Sequence, residues 1–337
     1  MKATLSFLFI LFIFNTQAQF ELVWSDEFDG TELDLTKWNF DLGAGGWGNA
    51  EPQYYTANDN NIDVDTGYLR ITAINEDFGG AEYTSSRIKT KGLYEVQYGK
   101  IEARIKIPKG QGLWPSFWML GSNIDEVSWP QCGEIDIMEH INNSFYIHGT
   151  YHYNNFGHTY FGQDKAADVE EFQVYSIEWD ASKIRWYLND ILYFTANIED
   201  GIGSTEEFHE PFFILLNMAT GGNWPGYPDE STVFPASMFV DYVRVYQKSF
   251  ASIATNEIED QFNIYPNPAS DLIIVNGLNK ADLSNYSIYS LSGENLSNGP
   301  LPQSHEIVVS DLKAGCYILA IKDLQGNIQN RFRLMIQ

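Results

Sequence analysis

The 337-residue chain carries 45 acidic against 20 basic side chains, a net charge of −25. Such a surface repels phosphate backbones and anionic headgroups, so nucleic acid and acidic membranes are excluded as partners while a neutral polysaccharide is compatible. A hydrophobic fraction of 44% supports a full core, and the length allows two domains. The aromatic fraction of 15%, with 20 Tyr and 9 Trp, suits either a β-rich core or a groove that stacks the flat faces of sugars.

Lys2, the apolar run from Leu5 to Phe14 and Thr16-Gln17-Ala18 read as a secretory signal peptide over residues 1–18, cleaved after Ala18 or Gln19. The run is too short to span a membrane, and no other stretch is apolar enough for a transmembrane helix. From Phe20 to Lys248 short alternating segments are broken by Gly, Asn, Asp and Pro. Gly67 to Ala73 and Gly99 to Ile107 alternate as half-buried strands should. Ser176 to Trp179 and Lys183 to Leu188 form a hairpin around Asp180-Ala181-Ser182, and Phe239 to Tyr246 closes the region. No segment keeps a helical period, so residues 20–248 are expected to form an all-β sandwich. Residues 249–263 turn small, polar and acidic and read as a linker. Residues 264–337 carry their own strands, at Leu272–Val275, Tyr286–Tyr289, Glu306–Val309 and Cys316–Ile321, and are expected to form a small second β-sandwich. Cys132 and Cys316 fall in different units, so no disulfide is expected between them, and they lack metal-ligand spacing.

The chemistry concentrates in Glu134-Ile135-Asp136-Ile137-Met138-Glu139. Alternation puts Glu134 and Asp136 on one strand face with Ile135 and Ile137 behind them. Period two alone sends Glu139 to the wrong face, and one extra residue near Ile137-Met138, a β-bulge, brings it back. Three like charges without an interleaved Lys or Arg are a poor design for a solvated strand face. With the bulge, Glu134 and Glu139 lie four strand steps apart, about 13 Å between Cα atoms. Side chains leaning together can close this toward the ~5–5.5 Å of a retaining glycosidase, in which one carboxylate attacks and the other donates a proton. Asp136 lies between them, where it can share a proton and raise a neighbour by like-charge repulsion.

This run resembles the Glu-x-Asp-x-x-Glu signature of glycoside hydrolase family 16, in the form with the extra residue. That form is more similar to the laminarinases, which are endo-β-1,3-glucanases, than to the lichenases, which lack the insertion. The resemblance covers nearly all of residues 21–247 and implies a concanavalin-like β-jelly roll. It makes Glu134 the nucleophile, Glu139 the acid/base and Asp136 the assisting carboxylate. Gly46 to Tyr55 is similar to a loop whose Asn, here Asn49, reaches the −1 side of the cleft. Pro52 stands where the laminarinase pattern more often has a longer aliphatic residue. Ser86-Arg87-Ile88 resembles the segment whose Arg binds sugar hydroxyls. Gly112 to Leu120 resembles the strand that places Trp114 and Trp118 along the cleft, and a core face remains the alternative for these two. His148 to His152 is similar to the strand whose second His, His152, faces the acid/base region. Asn217 to Gly226, with Trp224, also fits. His158 and His209 carry no motif and read as surface residues.

The resemblance further implies a structural calcium held by Glu27, Gly67 and Asp241, and no cofactor for catalysis. Residues 264–337 resemble the type IX secretion sorting domain, through Tyr265 to Asp271, Gly315 to Leu319 and the ending Arg331 to Gln337. A carbohydrate-binding module is the alternative, but the unit has no Trp for stacking. The expected protein is a monomer, secreted or attached to the cell surface via the periplasm. Its expected partners are β-glucan and the type IX secretion machinery. The open alternatives are a mixed-linkage glucanase, an agarase-like or transglycosylase member of the same family, and a non-catalytic glucan-binding lectin.

Overall fold

Alternating segments of this kind bury one face each, and two sheets placed face to face are the simplest way to hide those faces together. The computed structural model describes residues 19–65, 67–199, 205–249, 263–276, 283–290, 295–302, 304–323 and 328–337. The expected signal peptide and residues 250–262 of the expected linker lie outside the described residues. The chain divides into two compact units, Met1–Ala251 and Ser252–Gln337.

In the first unit a ten-stranded sheet faces a seven-stranded one. The seven-stranded sheet runs in the order His158–Ala166, Tyr146–Asn154, Glu134–Glu139, Leu113–Gly121, Phe212–Thr220, Arg87–Lys89 and Asn39–Phe40, each strand antiparallel to its neighbour. The segments expected as strands at Gly67–Ala73, Gly99–Ile107, Ser176–Trp179, Lys183–Leu188 and Phe239–Tyr246 all supply strands of the ten-stranded sheet, the first starting at Tyr68 and the second ending at Lys106. Helix is confined, among the described residues, to Ile124–Val127 and the 3-10 turn Glu206–His209. No described helix is long and apolar enough to cross a membrane. This is the jelly-roll sandwich expected from the sequence.

The core between the sheets is aromatic, with Trp38, Trp179, Trp186, Phe117, Phe208 and Phe212 fully buried. It also anchors the acid-bearing strand. Ile135, Ile137 and Met138 are 0–1% exposed. Each contributes about 1.5–3 kcal/mol of burial, which offsets the cost of crowding three carboxyls on the opposite face. The Trp186 indole reaches beneath the strand and donates to the Asp136 carbonyl at 2.8 Å. Only glycine admits that indole at position 149, because a Cβ there would stand 2.7 Å from Trp186 Cδ1 and 2.5 Å from the Tyr193 hydroxyl.

The second unit is described on its own. One sheet holds Asn263–Tyr265, Leu272–Asn276 and Glu306–Val308, and another holds Leu283–Ser290, Asn295–Pro300, Gly315–Asp323 and Ile328–Ile336. Ile273, Val275 and Ile307 from the first meet Ile288, Leu319, Ile321 and Leu334 from the second in one core. The expected small β-sandwich is therefore present, and its four expected strands are observed.

Candidate active site

The expected bulge is observed. Across to Tyr146–Asn154, Glu134 pairs with His152, Asp136 with Thr150 and Glu139 with His148. Three steps from Asp136 to Glu139 thus oppose two steps on the partner. On the other side Asp136 pairs with Trp118, Met138 with Phe117 and Glu139 with Ser116, so the same extra residue appears against both neighbours. The sequence explains it, since Ile137 and Met138 are consecutive apolar residues and both can be buried only if the strand gains a residue there. The result places Glu134, Asp136 and Glu139 on one face. Glu134 and Glu139 span four partner steps, His152 to His148, which is about 13 Å of strand.

The three carboxyls line a cleft of about 700 Å³ that crosses the seven-stranded sheet. Each glutamate receives an indole hydrogen bond. Trp129 Nε1 donates to Glu134 Oε2 at 3.0 Å, and Trp114 Nε1 donates to Glu139 Oε1 at 2.9 Å. Glu134 and Asp136 sit side by side on this face, and Glu134 partly offsets the burial that raises Asp136. His152 Nε2 lies 3.0 Å from Asp136 Oδ2 and 3.8 Å from Glu134 Oε1. The first distance is that of a hydrogen bond, yet Asp136 Oδ2 has no well-aligned donor, so the approach is off-line. Burial pushes Glu134 up to about 8, with the Asp136 charge adding to it and His152 and Trp129 opposing it. Burial likewise raises Asp136. Glu139 is raised well above the ordinary carboxylate range by burial and then by the charges of Asp136 and Glu134. Glu139 is thus suited to hold a proton near neutrality. Negative charge is best carried by the Glu134–Asp136 pair, where the Trp129 and His152 ring nitrogens converge.

The remaining expected residues gather around this centre. Trp114, Trp118, Asn49, Arg87, His152 and Trp224 all line the cleft, so Trp114 and Trp118 lie on the cleft face and not the core face. Trp118 Nε1 donates to Asn217 Oδ1 at 2.7 Å, and Asn217 Nδ2 donates to the Tyr55 hydroxyl. Arg87 lies between the Trp47 and Trp118 rings, 5.1 and 4.8 Å from their centroids, and pairs with Asp41 at 2.9 Å. Its charge is therefore partly spent on holding Trp118. Asn49 is held by Glu51, whose buried carboxylate also accepts from Gln53 and Tyr55. The 217–226 segment closes on this loop. Asn223 N–H donates to the Asn49 carbonyl, and a Cβ at Gly222, which has φ +129, would stand 3.0 Å from that oxygen. Pro52 packs against Gly221, so the departure at this position fills space beneath the loop without entering the cleft lining. Trp224 meets Trp114 edge-on at 5.4 Å and His148 at 4.9 Å.

Three expectations change. His152 stands at the Glu134 and Asp136 end of the cleft, and the residue opposite Glu139 is His148, because the antiparallel register reverses the order of the two histidines. His158 is not a bystander on the surface. Although exposed, it hydrogen-bonds His152 Nδ1 through Nε2 at 2.9 Å and lines the cleft. His209 is half-buried, bonded to the Tyr98 hydroxyl and to the Ile198 carbonyl, and does not line the cleft. Sequence reasoning also passed over Trp129, His148, Tyr160 and Glu51. The Trp129-Pro130 step just ahead of the acid strand was the one available signal for the first of them.

At the expected calcium position both carboxylates are occupied. Arg244 holds the two Glu27 oxygens at 2.7 and 2.9 Å, and Arg104 holds Asp241 at 2.6 Å. Calcium takes six to eight oxygen ligands, and these carboxylates, engaged as they are, do not fit it without displacing both arginines.

Comparison with known proteins agrees with this geometry. Residues 49–244 match the glycosyl hydrolases family 16, and residues 263–336 match the secretion system C-terminal sorting domain. The chain is 41% identical over 244 residues to a beta-glucanase of Rhodothermus marinus, covering 67% of this chain and 85% of that protein. It is 40% identical over 265 residues to the clotting factor G alpha subunit of Tachypleus tridentatus, covering 77% of this chain but only 39% of that protein. The catalytic domain of an endo-1,3-beta-glucanase (laminarinase) from Thermotoga petrophila superposes with a TM-score of 0.65 at 42% identity, covering 69% of this chain and all of that one. With its paired glutamates on one bulged strand and the family's sequence over more than half its length, the chain belongs to the glycosyl hydrolases of family 16.

Proposed function

We propose that the protein is an exported endo-β-1,3-glucanase that cleaves laminarin-like glucan with retention of configuration. The observation that carries this reading is the face shared by Glu134, Asp136 and Glu139, with one indole N–H on each glutamate. A glucan lying across the strands meets the Trp114, Trp118 and Trp224 rings, which offer flat apolar platforms. Ionised Glu134 attacks the anomeric carbon as the bond to the leaving oxygen breaks, and Glu139 gives its proton to that oxygen. The product is a glycosyl ester on Glu134. Glu139, now a carboxylate, takes a proton from water as the water oxygen attacks the same carbon, which frees Glu134 and restores Glu139. Asp136 shares the proton that Glu134 must give up, and the Trp129 and His152 ring nitrogens steady the charge.

A screen on laminarin, mixed-linkage glucan, agarose and carrageenan, with product linkages determined, tests the substrate. Fastest release of β-1,3-linked products supports the reading, and preference for agarose overturns it. Transfer products exceeding hydrolysis products on laminarin favour a transglycosylase. Binding without turnover favours a lectin, a role for which the full set of acids is unnecessary.

The sorting unit is proposed to direct the enzyme through the type IX machinery to the cell surface. A chain ending at Lys248 keeps glucanase activity and loses surface delivery, and normal export of that truncation would sink the idea. Calcium at Glu27, Gly67 and Asp241 is a separate proposal. It requires the ion to replace Arg244 and Arg104, and its test is a rise in Tm when calcium is added to protein stripped with EDTA.

A further inference from the structure

His158 sits on the exposed edge strand His158–Ala166, four residues beyond the turn-side end of the histidine strand, with no motif around it. Its ring is nearly coplanar with that of His152, at an interplanar angle of 8°, and its Nε2 lies 2.9 Å from His152 Nδ1. On its other side His152 points Nε2 at Asp136 and Glu134. His152 Nδ1 thus has a hydrogen-bond partner while Nε2 lies against two carboxyls, and the bond made at one nitrogen decides what the other carries. We propose that His158 is a positioning residue for the reaction, holding His152 in the form that presents an Nε2–H to the Glu134–Asp136 pair. The proposal rests on the glucan-hydrolase reading above.

When His152 is neutral, either His158 Nε2–H donates to Nδ1, which leaves the His152 proton at Nε2 facing the acids, or Nδ1–H donates to His158; the carboxyls beside Nε2 favour the first. When His152 is charged, both its nitrogens carry protons, and His158 accepts from Nδ1. In that favoured neutral form and in the charged form alike, a donor faces the carboxyls. Without His158 a neutral His152 is free to carry its proton at Nδ1, toward solvent. A bare Nε2 would then face a carboxylate oxygen, lone pair against lone pair. The titratable groups facing the histidine pair are Glu134, Asp136 and Glu139 from the acid strand and Tyr160 from the edge strand, whose ring lies 5.5 Å from His152 and 5.7 Å from His158. Trp129 also packs on His158, at 4.5 Å, and adds no titrating group.

That last contact offers a rival explanation, since losing His158 could act through Trp129. Three variants separate the two. His158→Ala removes both the hydrogen bond and the ring contact. His158→Phe keeps a ring against Trp129 but no hydrogen bond. His158→Gln keeps an N–H donor. The first readout is the ring ¹⁵N shifts of His152 at a pH where it is neutral, which need no substrate. The expected result is Nε2–H in wild type and His158→Gln, and loss of that form in His158→Ala and His158→Phe. The second readout is kinetics on laminarin. His158→Ala and His158→Phe are expected to lower kcat about tenfold with KM within twofold and to displace the acid limb of the pH profile, while His158→Gln recovers most of kcat. Unchanged ¹⁵N shifts in His158→Ala, or wild-type kinetics in His158→Phe, overturn the proposal. Wild-type protein inactive on laminarin but with the expected ¹⁵N pattern would instead refute the substrate reading alone.

Discussion

Replacing each indole donor in turn separates the two glutamates by role. Trp129→Phe keeps an aromatic ring but removes the N–H that lies 3.0 Å from Glu134, and Trp114→Phe does the same to Glu139 at 2.9 Å. A hydrogen bond to a charged group is worth about 1.5–3 kcal/mol, and one pKa unit corresponds to about 1.4 kcal/mol. Trp129 is 44% exposed, so water takes over part of its task and the lower end applies, a shift of about one unit. Either loss destabilises a carboxylate anion and therefore raises that group's pKa. Glu134 must lose its proton to attack, so Trp129→Phe moves the acid limb of kcat/KM toward higher pH by about one unit and leaves the base limb in place. Glu139 must keep its proton, so Trp114→Phe moves the base limb toward higher pH instead. The limbs report the coupled cluster as a whole, but the direction and the limb affected are specific to each variant. The assay is kcat/KM on laminarin from pH 4 to 10. Refutation comes if Trp129→Phe moves the base limb, which would exchange the roles, or if neither variant moves either limb.

Other consequences concern stability and the cleft wall. Because burial raises Glu139, the folded protein holds a proton that the unfolded chain releases near the ordinary carboxylate pKa. Stability is therefore lost as pH rises above that value, and Glu139→Gln should be more stable than wild type at pH 8, with no gain at pH 4. Urea unfolding at the two pH values checks this, and a gain that is equal at both would contradict it. Glu51→Ala strands the donors of Asn49, Gln53 and Tyr55 and should cost about 1–3 kcal/mol while raising KM through a loosened Asn49. Thermal melts and steady-state kinetics read the two effects separately. Gly149→Ala drives a methyl into Trp186 and Tyr193 beneath the acid strand. It should lower Tm and kcat together, whereas a fall in neither would show that the strand does not depend on that indole.

Much of this architecture was legible because β structure writes its faces into parity. Glu134 and Asp136 agree in parity and Glu139 does not, and the adjacent apolar pair Ile137-Met138 marks where the extra residue must lie. The two expected units follow equally from alternation and from the change in composition at 249–263. What was not legible depended on register and loops. Nothing in residues 148–152 says which histidine will face which glutamate until the antiparallel pairing sets His152 against Glu134 and His148 against Glu139. His158 and Tyr160 lie on an edge strand exposed on both faces, where no burial pattern constrains the sequence. Trp129 reaches Glu134 from outside the regular strands. The arginine partners of Glu27 and Asp241 come from distant positions in the chain, and so the occupation of those carboxylates could not be read from spacing.

In the proposed reaction Glu134 forms a covalent glycosyl ester while Glu139 moves the proton. The most direct test is peptide mass spectrometry after inactivation with a 2-deoxy-2-fluoro laminaribioside bearing a good leaving group, which lets the ester form and slows its hydrolysis. The predicted result is one sugar on the peptide containing residues 134–139, localised by fragmentation to Glu134. Sugar localised to Glu139 or Asp136 would contradict the assignment.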